Sequence, residues 1–141
     1  MSNVVFDFKG NNVIITGGTR GIGLAISEAF LKAGASVTAI FANDSDSALR
    51  MRDKWKGFPL ETRRLDVSDY SEAEKFFKEF NETHPSLETL VNCAGIRKDN
   101  IVGMMSFEEW TRVMDVNITG TFNMSKFALI KMMENRFGRI I

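Results

Sequence analysis

The sequence predicts an α/β chain, a doubly wound parallel sheet held between two helical layers in a three-layer αβα arrangement. Three observations predict it. Extended and helical hydrophobic patterns alternate along the whole chain, as parallel strands joined by helical crossovers require. The apolar run Val13-Ile14-Ile15 leads directly into the glycine-rich turn Thr16-Gly17-Gly18-Thr19-Arg20-Gly21-Ile22-Gly23, and a helical pattern follows it at once. Successive strand ends then carry small or polar residues, at the edge where open parallel sheets take their ligands.

The first strand is expected over Asn12–Thr16. A helix over Gly21–Ala33 follows from Ile22, Ala25, Ile26, Ala29 and Phe30 recurring at three- and four-residue spacing, with Gly34 stopping it. A second strand is read over Ser36–Phe41 and a helix over Ser45–Lys56. A third strand is read over Thr62–Asp66 and a helix over Ser71–Thr83, which Pro85 prevents from continuing. The fourth strand is placed at Leu87–Asn92. Ser106-Phe107-Glu108-Glu109 has the spacing of a capping box and opens a helix predicted to run to Asn135, about 45 Å at 1.5 Å per residue. A fifth strand begins at Arg139–Ile141. With no internal repeat, low-complexity tract or linker, residues 1–141 read as one domain.

Composition narrows the function classes. Lysine plus arginine equal aspartate plus glutamate at 18 each, so neither nucleic acid nor an anionic membrane is an expected partner. No apolar segment approaches the roughly 20 residues that cross a bilayer, and Met1 to Gly10 lacks a basic stretch followed by an apolar run, so a cytoplasmic location is expected. The single cysteine, Cys93, excludes an internal disulfide and is expected to be a small buried residue. The single histidine, His84, supports neither a triad nor a metal site and reads as a solvated loop residue.

The glycine turn is the first of the chemical signals. Glycine permits positive φ and close backbone approach, and the helix start behind it offers unpaired N–H groups in a positive field, a receptor for a diphosphate. Small or polar groups follow at the next strand ends: Ala42, Asn43 and Asp44, then Asp66 and Val67, then Asn92-Cys93-Ala94-Gly95. With Asn117 inside the long helix, these motifs in this order resemble the short-chain dehydrogenases/reductases. Leu90–Asp99, Met104-Met105, Glu109-Trp110 and Gly138-Arg139-Ile140-Ile141 look most like the bacterial 3-oxoacyl-acyl-carrier-protein reductases among them. The resemblance spans essentially the whole chain. Polyol, sugar and acetoacetyl-CoA reductases are similar up to Ile141.

The resemblance implies a Rossmann-type, nicotinamide-dinucleotide-binding sheet with roles for particular residues. Gly17, Gly18, Thr19, Arg20, Gly21, Ile22 and Gly23 would wrap the diphosphate and adenosine ribose, with Ala42 and Asn43 alongside. Asp66 would accept a hydrogen bond from the adenine amino group, with Val67 against the ring. Asn92, Ala94 and Gly95 would line the cofactor, Asn92 also pinning the sheet centre. Asn117 is the one catalytic position of the family matched here; there it bends the long helix and holds a water in a proton relay. The family's NAD-selecting acid would stand at Phe41 and is absent, while Arg20 can pair with a 2′-phosphate, so NADP(H) is the expected cofactor. Asp44 reads as a helix cap.

By the same resemblance, the reaction is hydride transfer to a carbonyl carbon with proton delivery from a tyrosine whose pKa a lysine four residues on lowers. Tyr70 is the only tyrosine and Glu74 stands four positions later, so it is not that acid; it is placed on the adenosine side. The chain therefore reads as truncated at the start of its fifth strand. A full-length parent would reduce a 3-oxoacyl thioester with NADPH in fatty-acid synthesis, on a small-molecule or carrier-protein-linked substrate. These residues alone would be inactive, a dinucleotide-binding fragment, and prone to associate through uncovered apolar surface. Methionine and aromatic residues along 106–135 add a homo-oligomer interface to that expectation.

Overall fold

The computed structural model describes residues 5–141; the stretch read as lacking a signal sequence begins at residues 1–4, which lie outside the described residues. The strands are β1 (Asn12–Thr16), β2 (Ser36–Phe41), β3 (Leu60–Arg64), β4 (Thr89–Asn92) and β5 (Arg139–Ile140). The helices are α1 (Gly21–Lys32), α2 (Ser45–Lys54), α3 (Tyr70–Thr83), α4 (Phe107–Met114) and α5 (Gly120–Asn135), with a short 3-10 turn at Val102–Met104. All strand pairings are parallel, in the order β3-β2-β1-β4-β5. The order reverses between β1 and β4. In doubly wound sheets, ligands bind beyond the carboxyl ends of the strands at that reversal.

The two faces of the sheet explain why β1 is apolar throughout rather than alternating. Ile14 faces a core shared with Ile40, Leu65, Leu90, the α3 phenylalanines Phe76, Phe77 and Phe80, and Met124 and Ala128 of α5. Val13 and Ile15 face a second core with Leu31 of α1, Val37, Ala39, and Met51 and Trp55 at α2. A strand covered on both faces has no position left for a solvated side chain. This is the predicted three-layer α/β fold.

The predicted bounds of β1 and β2 match those observed, and α1 and α3 differ by one residue. β3 sits two residues earlier than read, at Leu60–Arg64 rather than Thr62–Asp66. Register decides this: Val37 pairs with Leu60 and Phe41 with Arg64, and beyond Leu65 the chain turns as the Asp66 carboxylate accepts the Ser68 N–H at 3.0 Å. β4 starts at Thr89, two residues late, and α2 stops at Lys54.

The long helix 106–135 is distorted where the resemblance implied that Asn117 bends it. It is helical throughout, but α4 and α5 are separated by a π-helical segment, Asp115–Thr119. Asn117 lies at its middle with its side chain bonded away from the helix, and Thr121 donates its hydroxyl to the Asn117 carbonyl at 2.8 Å. Ser106 does form the capping box with Glu109. His84 is not a freely solvated loop residue, since its ring stacks flat on Phe80 with centroids 4.1 Å apart. No helix among the described residues is long and apolar enough to cross a membrane.

Candidate functional site

The site begins where β1 meets α1. Gly17 has φ +65°, and a Cβ there would lie 3.1 Å from the Ala94 Cα and 3.2 Å from the Cys93 carbonyl oxygen. A Cβ on Gly23 would run into the Gly17 carbonyl oxygen. The turn is thus pressed against α1 on one side and the loop after β4 on the other. Ser27, fully buried in α1, ties the two together by donating its hydroxyl to the Gly18 carbonyl at 2.9 Å.

The helix ends differ in a way that points to a ligand. Asp44, Asp69 and Ser106 cap α2, α3 and α4 with side-chain oxygens, and each of these helices carries an acid in its first turn. The α1 N-cap, Arg20, makes no side-chain cap bond, and the first turn of α1 holds no acid. Its N–H groups and the positive end of its dipole are left for an anion.

They face a cavity of about 720 Å³ at the carboxyl edge of the sheet. Twelve of the predicted cofactor residues line it: Gly17, Thr19, Arg20, Gly21, Ile22, Gly23, Ala42, Asn43, Asp66, Val67, Ala94 and Gly95. Gly18 does not. Its N–H donates to the Ile40 carbonyl at 3.0 Å, and a Cβ there would meet the Ile15 carbonyl at 2.8 Å, so it serves packing beneath the turn. Asn92 does not either. Its amide donates to the Ser125 hydroxyl on α5 at 3.1 Å, and its Oδ1 has no partner among the described residues.

The sheet centre is instead pinned by Thr16, a residue whose role the sequence reading missed. Its buried hydroxyl oxygen accepts the N–H groups of Cys93 and Ala94, both at 3.0 Å, and the hydroxyl lies 3.4 Å from the Val91 carbonyl. This fixes the β4 loop against β1 at the topological reversal. Cys93 is half-buried and lines the cavity rather than being enclosed.

Asn117 reaches the same loop from the π-helical segment. Its Oδ1 accepts the Ile96 N–H and its Nδ2 donates to the Ile96 carbonyl, each at 2.9 Å. A helix-interior asparagine is unfavourable on propensity alone, and here the side chain spends its polar groups on the Ile96 backbone, which has no other partner among the described residues. Asn117→Ala is expected to destabilise the chain by about 1–2 kcal/mol, since both Ile96 groups lose their partners in a partly solvated place. Hydrogen exchange at the Ile96 amide should accelerate with it; unchanged protection would show that the clamp is not made in solution.

Asp66 both closes a local turn and lines the cavity. One oxygen accepts the Ser68 N–H and hydroxyl, forming the local turn, and the other accepts Arg112 Nη2 at 2.9 Å while facing the cavity. Burial pushes its carboxyl upward, but the Ser68 bonds and the Arg112 guanidinium outweigh this and hold it below the usual carboxylate range. Arg112, on α4, was not anticipated; 46 residues separate it from Asp66, and no local pattern marks it. Asp44 caps α2 as expected, accepting the Ser47 hydroxyl at 2.7 Å and the Ser47 N–H at 2.9 Å. Tyr70 lies outside the cavity. Its ring packs on Phe127 of α5 and its oxygen accepts Lys126 Nζ at 2.7 Å.

A doubly wound sheet with an anion-receptive glycine turn at its reversal point defines a Rossmann-type chain. The chain belongs to the short chain dehydrogenase family, whose model matches residues 11–141. It is 35% identical over 128 residues to an acetoacetyl-CoA reductase of Paracoccus denitrificans, covering 91% of this chain and 52% of that protein. It is also 35% identical over 136 residues to the 3-oxoacyl-[acyl-carrier-protein] reductase FabG of Haemophilus influenzae, covering 94% and 54%. The crystal structure of gox2181 superposes with a TM-score of 0.88 at 25% identity, over 95% of this chain and 53% of that one. The chain spans about half the length of the relatives it matches.

Proposed function

We propose that this chain is the coenzyme-binding part of an NADPH-dependent oxidoreductase that reduces a 3-oxoacyl thioester to its 3-hydroxyacyl form. The carrying observation is the uncapped, acid-free start of α1, which opens on the cavity at the β1/β4 reversal. The residues fit such a coenzyme. Gly21 has nothing within 4 Å of where a Cβ would stand, leaving room above the turn for a diphosphate. Phe41, rather than an acid, ends β2, and Arg20 is exposed at the cavity mouth. Asp44, which follows β2 and lines the cavity, spends its carboxylate on Ser47 and is held below the usual range chiefly by that hydroxyl and then by the Ser47 N–H.

The coenzyme, when bound, would supply a hydride. The chain's own residues bind and orient it: α1 holds the anionic centre, Asp66 and Val67 flank the adenine end, and Asn117 sets the loop beside the reactive end. The substrate assignment leans on the two groups of relatives, one named for acyl-carrier-protein thioesters and one for acetoacetyl-CoA. With its only tyrosine bonded to Lys126 outside the cavity, this chain is expected to bind coenzyme without appreciable turnover. Exposed Phe107, Trp110, Phe122, Leu129 and Met133 along α4 and α5 support a homo-oligomer, and a cytoplasmic location accompanies the proposal.

Titration of the purified chain with NADPH and NADH, followed by coenzyme fluorescence, tests the reading. NADPH should bind at least tenfold more tightly than NADH. Binding of neither by folded protein would overturn it, and a preference for NADH would remove the NADP assignment.

A further inference from the structure

The register of the sheet brings a second cation to the end of β2. Phe41 pairs with Arg64, the last residue of β3, so the two side chains leave the same face of the sheet side by side. Arg64 is anchored there, its Nε donating to the Ala42 carbonyl at 3.1 Å. Among the described residues, its two terminal nitrogens make no ion pair or hydrogen bond. The neighbouring Arg63 faces the other way and is neutralised by Glu79 at 2.7 Å and Glu61 at 3.1 Å. Arg64 lines a groove of about 670 Å³ beside β3, which shares Ala42, Asn43, Leu65 and Asp66 with the main cavity. Arg20 lines the main cavity together with Asn43 and Asp44.

A guanidinium fixed by one N–H with its remaining donors turned to solvent is a ready partner for a phosphate, which takes paired N–H groups in a planar fork. We propose that Arg64 contacts the ribose 2′-phosphate of the coenzyme together with Arg20, making the end of β3 a determinant of coenzyme choice; this rests on the dinucleotide reading above. Ala42 and Asn43 line both spaces, the groove that holds Arg64 and the cavity that holds Arg20. The carboxylates of the main cavity do not cancel the two cations, because Asp44 is turned into its helix by Ser47, to which Arg50 also donates at 2.8 Å, and Asp66 is engaged by Ser68 and Arg112.

The test uses two fragments of the coenzyme, adenosine 2′,5′-bisphosphate and adenosine 5′-monophosphate, titrated calorimetrically into the whole chain. The wild type should favour the bisphosphate. Arg64→Gln should lose about tenfold in bisphosphate affinity while binding the monophosphate within about twofold of wild type, as expected for one charge-assisted contact. Arg64→Lys, which keeps a charge without the Ala42 anchor, should lose about threefold, and serves if the glutamine variant fails to fold. A wild type that prefers the bisphosphate with both variants unaffected overturns the role of Arg64 and leaves the dinucleotide reading standing. A wild type that binds neither fragment overturns that reading too.

Discussion

Gly23→Ala is expected to abolish nucleotide binding and to destabilise the fold by about 3 kcal/mol, the upper end of the cost of overpacking. The added methyl would enter the space held by the Gly17 carbonyl oxygen and lie 3.1 Å from the Gly18 Cα. The obstacle is backbone, not the far end of a flexible side chain. It can be relieved only by lifting α1 from the turn, which breaks the Ser27–Gly18 bond and moves the N–H groups offered to an anion. Two glycines calibrate the result. Gly103→Ala has open space and no positive φ, and should be neutral; Gly21→Ala has open space but φ +53°, and should cost about 1 kcal/mol of backbone strain. Denaturant unfolding of the three variants separates packing from strain. If Gly23→Ala unfolds at the wild-type midpoint, the close-approach account of the turn is wrong.

How much of this was legible in the sequence follows from how local each cause is. β1, the glycine turn and α1 follow one another in the chain and obey period and turn chemistry, so their placement and the cavity behind them could be read directly. The capping roles of Asp44 and Ser106 are also local, fixed by groups three residues away. The ends of β3 were misplaced because its bounds are set by pairing with β2, about 23 residues earlier in the sequence, and not by its own pattern. The break in the long helix was half legible. Asn117, Thr119 and Gly120 announce weakness, but the π-helical turn arises from Asn117 reaching Ile96 and from Gly120 seating on Val67, where a Cβ would come within 2.5 Å of Cγ2. Arg112 and Arg64 gave no signal at all. A lone arginine in a polar stretch reads as a solvated face, and only the tertiary fold shows which carboxylate or carbonyl it meets. Asn92 shows the converse, since motif position suggested the cavity while strand alternation turned its side chain towards α5.

Thr16→Val should be nearly as damaging as the glycine substitution, although it preserves size and suits a strand. The Thr16 hydroxyl oxygen is the acceptor for two successive backbone N–H groups, those of Cys93 and Ala94, at a position only 2% exposed. Valine fills the same volume and gives neither group a partner. An unpaired buried donor costs about 1–3 kcal/mol, so with two donors beside a cavity that admits some water, a loss of about 2–4 kcal/mol is expected. Thr16→Ser keeps the oxygen and should lose about 1 kcal/mol, roughly the worth of one buried methyl. The contrast between the two variants isolates hydrogen bonding from shape. The functional consequence follows from what the hydroxyl holds. The β4 loop is clamped at Cys93 and Ala94 by Thr16 and at Ile96 by Asn117, and Ala94 and the intervening Gly95 line the cavity. Releasing the first clamp lets that wall move away from Gly17, so nucleotide affinity should fall at least tenfold in the valine variant and stay near wild type in the serine variant. Equal stability of the valine and serine variants would show that water satisfies the two N–H groups as well as Thr16 does, and that the loop is held by Asn117 alone.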